Sequence, residues 1–415
     1  MQEDGLASGP GSLLRNLLAA PALRFHDFRL LWLSGLFNST GFIGEQVVLG
    51  WLVLELTDSP FMVGTALALR MAPFMLLGAV AGAVADIVDR RNLLRSVSLG
   101  MAVLSGGAAL LITLDAMTLW LLLAITFVGG CMRAMHQPAR QSFVFDIVGP
   151  NNLVNGLSYV SLSMRIGGIG GSLLTGFLLG RVGADAAFGV LTLSYVGSAL
   201  SVQLIRASSR TSAEARTPLV RNLRELGVEF VRNPDFRWML VLSAAVEILG
   251  FSHQALLPVI ARDVLNVGAE GLGLMMSLRA VGGIAAILAL SSMGQVRRQG
   301  MLYLGAVYVF GVAMLLLAAA DTFLVALVVV MAINGMGALS DILSQSLVQT
   351  VVPDALRGRA MGSWVLAVGM GPLGSLQIGA LASWLSVAAA LSIHGAGLLV
   401  LGVGALLLFP RLRRL

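Results

Sequence analysis

Apolar stretches of close to 20 residues recur from Leu30 almost to the C-terminus, separated by short polar interruptions. A helix of about 20 such residues crosses about 30 Å of hydrocarbon, and in lipid only a helix or a closed barrel satisfies its own backbone. The pattern predicts an all-α chain that lies mostly in a membrane. Composition agrees, since 57% of the 415 residues are hydrophobic and 12% charged, against roughly 25% charged in a soluble domain. An ordinary cytosolic enzyme is excluded.

By apolar length the helices fall at roughly 30–54, 60–84, 96–114, 118–138, 153–179, 184–205, 237–262, 271–293, 301–320, 322–346, 358–384 and 387–409. The first 29 residues carry Arg15, Arg24 and Arg29 but run straight into a full-length span without a small-residue cleavage site. No cleaved signal is expected. All 27 basic residues are Arg. Without Lys the chain can form neither a P-loop nor a retinal Schiff base. Cys131 is the single Cys and lies in an apolar span, which removes disulfides and Cys-based metal sites. With no catalytic triad or metal-spaced cluster outside the spans, no enzyme activity, metal or cofactor is expected.

The net charge of +6 reflects topology rather than nucleic-acid binding. Of the 27 Arg, 21 fall on one side of the spans, Arg181 and Arg262 fall on the other, and Arg70, Arg133, Arg165 and Arg279 lie within spans. An excess of this kind marks the cytoplasmic side, so both termini are placed in the cytoplasm and the number of spans is even. The expected organisation is a tail at 1–29, a six-helix half at 30–205, a polar loop at 206–236, a second six-helix half at 237–409 and a tail at 410–415. The halves repeat each other. Gly41-Phe42, Gly64 and Leu69-Arg70 return as Gly250-Phe251, Gly273 and Leu278-Arg279 at an offset of 209, and Gln141-Ser142 returns as Gln345-Ser346 at an offset of 204. The matching order makes this a parallel repeat.

Between the second and third helices, Gly82-Ala83-Val84-Ala85-Asp86-Ile87-Val88-Asp89-Arg90-Arg91 resembles the major facilitator signature G-x-x-x-D-[RK]-x-G-[RK]-R. It keeps Gly82, Asp86, Arg90 and Arg91, with Ile87 for the basic residue and Asp89 for the second Gly. The D-R-R ending, Gly50-Trp51-Leu52-Val53 and Pro138-Ala139-Arg140-Gln141 look like the branch that contains enterobactin exporters. The resemblance covers about 28–409. It implies a twelve-helix secondary transporter in which Gly82, Asp86, Asp89, Arg90 and Arg91 form a gating motif that latches the cytoplasmic side; the alternative is that these Arg only enforce topology. In helix 5, Arg165-Ile166-Gly167-Gly168 lacks the Pro of the antiporter motif, whereas Gly371-Pro372 in helix 11 keeps it. The equivalent of the gating motif in the second half has Gln295 in place of Asp86.

Ionisable groups inside spans cost several kcal/mol unless they face a partner or a polar path. Among them are Glu45, Arg70, Arg133, Arg165, Glu247, His253, Arg279, Asp341 and His394, and helices 3, 6 and 9 carry no charged residue away from their ends. In the family these helices, with helix 12, lie outside the cavity. Arg70, Arg165, Glu247 and Arg279 are expected near the midplane, and Arg133 and Asp341 nearer the cytoplasm. Glu45, Arg70, Arg165, Glu247, Arg279 and Asp341 are therefore candidates for a substrate or proton pathway. The competing possibility is structural ion pairing, Glu45 with Arg70 or Arg165 and Glu247 with Arg279. Asn38, Gln46, Arg133, Gln254, Asn334, Gln345, Trp364 and Gln377 are candidate cavity liners, and His253 and His394 are expected to pack.

The expectation is a monomeric, proton-coupled exporter of a bulky amphipathic or anionic molecule, siderophore-like or drug-like, in a bacterial inner membrane. A lysophospholipid flippase or importer of the same fold is the alternative. A non-transporting sensor is disfavoured because the tails offer no soluble domain.

Overall fold

The computed structural model describes residues 21–207, 230–293, 298–353, 356–409 and 411–413, without the side chains of 78–87, 358 and 359. Much of the expected tails and of the 206–236 loop lies outside these residues. Twelve helical spans follow one another: α1 (His26–Thr57), α2 (Pro60–Ile87), α3 (Arg90–Thr113), α4 (Leu119–Val148), α5 (Leu153–Arg181), α6 (Ala184–Gln203), α7 (Pro234–Leu249, with shorter turns continuing to Val264), α8 (Gly268–Ser292), α9 (Gln299–Ala318), α10 (Phe323–Thr350), α11 (Arg357–Val368 and Gly371–Trp384) and α12 (Val387–Leu408). Among the described residues eleven spans are long and apolar enough to cross a membrane. The twelfth is α1, whose 32 residues are ample in length but include Asn38, Glu45 and Gln46. The helix left out on apolarity is thus one that carries polar groups inward.

Helix ends follow local chemistry. Thr118 and Thr322, 204 residues apart, cap α4 and α10 by accepting from the amides of Leu121 and Val325, and Ser386 does the same for α12. Each satisfies one amide left open at a helix start. Expected boundaries shift by four residues or more in four places, the first being α1, which begins at His26 rather than near 30. α3 begins at Arg90 rather than near 96, α10 reaches Thr350, and α4 runs past Pro138 to Val148, as membrane helices tolerate an internal Pro. Arg140, counted with the loop Arg, is consequently a buried residue of α4, 2% exposed.

α7 is broken after Leu249. The His253 ring donates to the Gly250 carbonyl at 2.7 Å, and the His394 Nδ1 lies 3.1 Å from the Leu249 carbonyl and 2.9 Å from the Ser252 hydroxyl. Both rings thus meet backbone carbonyls at the break.

In the first half α1 packs on α5 and α6, α2 on α4, and α3 on α4 and α6; in the second α8 packs on α10, and α9 on α10 and α12. The halves meet through α2 against α11 and α5 against α8. Small residues permit that approach. A Cβ on Gly176 would stand 2.7 Å from the Cα of Gly273, so α5 and α8 touch backbone to backbone there. We call the face where α1 starts and α12 ends the terminal face, and the opposite one the far face.

Candidate functional site

Seven ionisable side chains converge near the middle of the bundle, and they divide into a sealed group and an accessible one. Glu45 on α1, Arg70 on α2 and Arg133 on α4 are 7%, 1% and 5% exposed. Glu45 forms an ion pair with Arg133, and the Tyr195 hydroxyl of α6 donates to the same carboxylate oxygen at 3.3 Å. Gly41 admits that tyrosine, since a Cβ there would stand 2.5 Å from its ring. Arg70 donates to the Phe42 carbonyl at 2.6 Å. Both guanidinium groups face the Phe42 ring, at 4.1 Å for Arg70 and 5.1 Å for Arg133, a favourable arrangement of cation and π-cloud. The expected partners of Glu45, Arg70 or Arg165, are corrected to Arg133. Because α4 extends to Val148, Arg133 sits at its middle, level with Glu45 rather than nearer the terminal face.

The repeat preserves part of this arrangement. A Cβ at Gly130 would stand 2.8 Å from the Arg70 carbonyl; 204 residues on, Asn334 donates to the Arg279 carbonyl at 2.8 Å. The sealed pair is not repeated. Gln254 stands at the position of Glu45 and Gly337 at that of Arg133, and the Phe251 ring lies 2.9 Å from where a Gly337 Cβ would be. The second half instead has Glu247 and Asp341 where the first has Asn38 and Gln137.

Arg165, Glu247, Arg279 and Asp341 are half-buried. Arg165 crosses the seam between the halves. Its Nη1 lies 3.3 Å, and Asn334 Nδ2 2.8 Å, from the point a Gly283 Cβ would occupy. Arg279 has a buried Nη1 with no acceptor. Glu247 rests against Gly371 at the break of α11 and lies within electrostatic range of Asp341. The expected Glu247–Arg279 ion pair is not formed among the described residues. Among the described residues, two guanidinium groups and two carboxyl groups are thus left without ionic partners around the seam.

Of the remaining polar candidates, Gln46 donates to Gln254 across the seam at 3.4 Å and Trp364 donates to the Ser344 hydroxyl at 3.0 Å. Asn38 and Gln345 are half-buried, while Gln377 is exposed. In the gating motif the side chains of Gly82 and Asp86 lie outside the described residues, as does Gln295. Asp89 caps α3 by accepting from the Asn92 amide at 2.8 Å. Arg90 reaches Asp146 at the end of α4 at 2.5 Å, and Arg91 and Arg95 donate to the backbone and side chain of Gln203 at the end of α6. These contacts bind the first half together.

The far face is closed by contacts between the halves. Arg181 pairs with Glu270; Arg262 reaches Asp58 at 2.9 Å and the Leu54 carbonyl at 3.0 Å; the Phe61 amide donates to Ser383 at 3.0 Å; and Ser172 meets Ser277 at 2.7 Å. The two Arg that stood apart in the topological count both join the halves. Neither this closure nor the role of Tyr195 was foreseen from the sequence. Phe42 was marked by the repeat, but only its place in the fold reveals the two cations on its ring.

The sequence profile described as transmembrane secretion effector, of the major facilitator superfamily, matches residues 18–415. The staphyloferrin A transporter of Staphylococcus aureus is 25% identical over 84% of this chain and 88% of its own length. The enterobactin exporter of Shigella flexneri is 24% identical over 96% and 95%. Among solved structures, a nucleoside transporter superposes with a TM-score of 0.77 at 13% identity, over 92% of this chain and 100% of its own. A POT family peptide transporter bound to sulfate gives 0.73 at 13% identity, over 94% and 95%. These two likenesses show the fold.

Proposed function

The chain belongs to the transmembrane secretion effector family of major facilitators, and from that premise we propose that it is a proton-coupled exporter of a bulky anionic or amphipathic small molecule of siderophore type. The observation that carries the reading is the convergence of Arg165 from the first half with Asn334 and Arg279 from the second, both cations half-buried and without a carboxylate partner. A guanidinium kept in a membrane interior without an acid calls for an anion from elsewhere. Because the donors come from both halves, a bound anion draws the halves together, and rocking about that point exposes it to one face at a time. The enterobactin and staphyloferrin A transporters named above point to siderophores as the first compounds to try.

Glu247 and Asp341 supply a proton site at the seam in this reading. Two carboxyl groups within electrostatic range of each other and without a cation among the described residues do not both stay ionised in a medium of low dielectric, so one of them can hold the transported proton. The Arg excess places the terminal face, and with it both termini, in the cytoplasm of a bacterial inner-membrane protein. The far face is then the outer one, closed here by Arg181, Arg262 and their partners. Gly82 and Asp86 complete the terminal-face latch with Asp89, Arg90 and Arg91, and the protein works as a monomer in the bilayer.

Purified protein in vesicles with an imposed pH gradient should move enterobactin or staphyloferrin A against its concentration. Transport that persists when the gradient is collapsed overturns proton coupling. Full affinity in Arg165→Met and Arg279→Met proteins that insert and elute normally overturns the anion site.

A further inference from the structure

A void lies inside the first half, away from the seam. Its walls, among them Glu45, Met101, Ser105, Leu122, Thr126 and Phe188, come from α1, α3, α4 and α6 and include no residue of the second half. At about 1.5 Å per residue, Leu122 and Phe188 lie about 5 Å from the far ends of α4 and α6, and Glu45 about 18 Å from the far end of α1. The void is thus bordered by Glu45 of the sealed cluster on its inner side and by Leu122 and Phe188, near the far ends of their helices, on its outer side. Leu122 and Phe188, 1% and 3% exposed, close its outer end. The free volume is about 10 Å³, the size that takes a single water molecule.

Glu45, at its inner end, is surrounded by guanidinium groups that keep N–H donors without acceptors among the described residues. Arg133 Nε and Nη1 and Arg70 Nε are buried without an acceptor. Arg133 Nη2 and the Met101 methyl lie 3.4 and 3.5 Å from the point a Gly129 Cβ would occupy, so the guanidinium borders the wall of the void. The Thr126 hydroxyl donates to the Leu122 carbonyl at 2.8 Å, leaving its lone pairs available, and the Ser105 hydroxyl makes no hydrogen bond with a described residue. Buried donors are normally satisfied, by water when no protein acceptor is near. An apolar void of this size stays dry, whereas one edged by a carboxylate and two hydroxyls holds water.

We propose that this void is a water port through which Glu45 exchanges protons with the far face, on a path separate from the cargo cavity. The ionisable groups facing Glu45 are Arg133 from α4, Arg70 from α2 and Tyr195 from α6; α3 contributes none. The proton adds to a carboxylate oxygen of Glu45 while both guanidinium groups keep theirs, so the cluster gains one positive charge. Arg70 lies within electrostatic range of Arg279 at the seam. Only this use of the proton rests on the proton-coupled reading; the water path does not.

The test uses silver ion, which is small and binds thiols, on full-length protein in sealed vesicles of both orientations. In a Cys131→Ser background, Ser105→Cys places a thiol in the port, and Val103→Cys places one at nearly the same depth on a face of α3 that is 74% exposed to lipid. Thiols left unblocked are counted after denaturation. Silver added at the far face should block the Ser105→Cys thiol at least tenfold faster than the Val103→Cys thiol, and adding Leu122→Ala should accelerate it further. Thr126→Cys carries the same comparison if Ser105→Cys does not insert. Equal rates at the two depth-matched positions, no response to Leu122→Ala, or blocking only from the terminal face overturns the port. The assay needs neither cargo nor gradient, so gradient-independent transport by the unmodified protein would sink the coupling reading alone.

Discussion

At the scale of single residues, the sealed and accessible charges should respond differently to mutation. Removing one partner of a buried ion pair leaves an uncompensated charge and costs about 3–5 kcal/mol, whereas apolar replacement of both is often close to neutral. Glu45→Leu or Arg133→Met alone should therefore lower the melting temperature in detergent sharply, and the double variant should recover most of the loss. Equal losses in all three would mean that the pair is not what holds α1 to α4. Arg165 and Arg279 have no such partner to strand. Their Met variants should melt near the parent protein yet bind enterobactin or staphyloferrin A at least tenfold more weakly, about 1.4 kcal/mol, as isothermal titration would show. The residue types that matter were legible in the sequence because charge within an apolar span is conspicuous. Their partners were not, since Glu45, Arg133 and Tyr195 are brought together from three helices.

At the scale of helices, the far-face closure combines ion pairs with close backbone contact. Exposed ion pairs contribute up to about 1 kcal/mol each, and Arg181–Glu270 and Arg262–Asp58 each have an exposed member. Arg181→Ala with Arg262→Ala should raise the far-face-open population by roughly an order of magnitude, read as longer distances between spin labels on the far ends of α5 and α8. An unchanged distance distribution would assign these Arg to the surface alone. Gly176→Val should have the same sign by another route, because its side chain would press on the Gly273 backbone. Most element boundaries followed from apolar length and capping Thr and Ser. The exception at α4 arose because Pro138 reads as a stop in water, while a membrane helix carries it inside.

At the scale of the whole molecule, orientation is the open expectation with the simplest test. Alkaline phosphatase, active only outside the cytoplasm, should work when fused after Asp115 between α3 and α4 and fail when fused after Arg206. The reverse pattern would overturn the assignment made from the Arg excess. Sequence alone determined that the chain lies in a membrane, that its halves repeat in parallel and that helices 3, 6 and 9 carry no charged residue away from their ends. Apolar length, Arg placement and offset are properties of the chain in one dimension, and the bilayer converts them directly into spans. Only the tertiary structure decided that Glu45 belongs to Arg133, that Glu247 and Arg279 stay apart, and that Arg181 and Arg262 join the halves. Each of those outcomes depends on helix rotation and on the depth at which two helices cross. A shift of one residue turns a side chain by about 100° and moves it by about 1.5 Å, enough to exchange one partner for another.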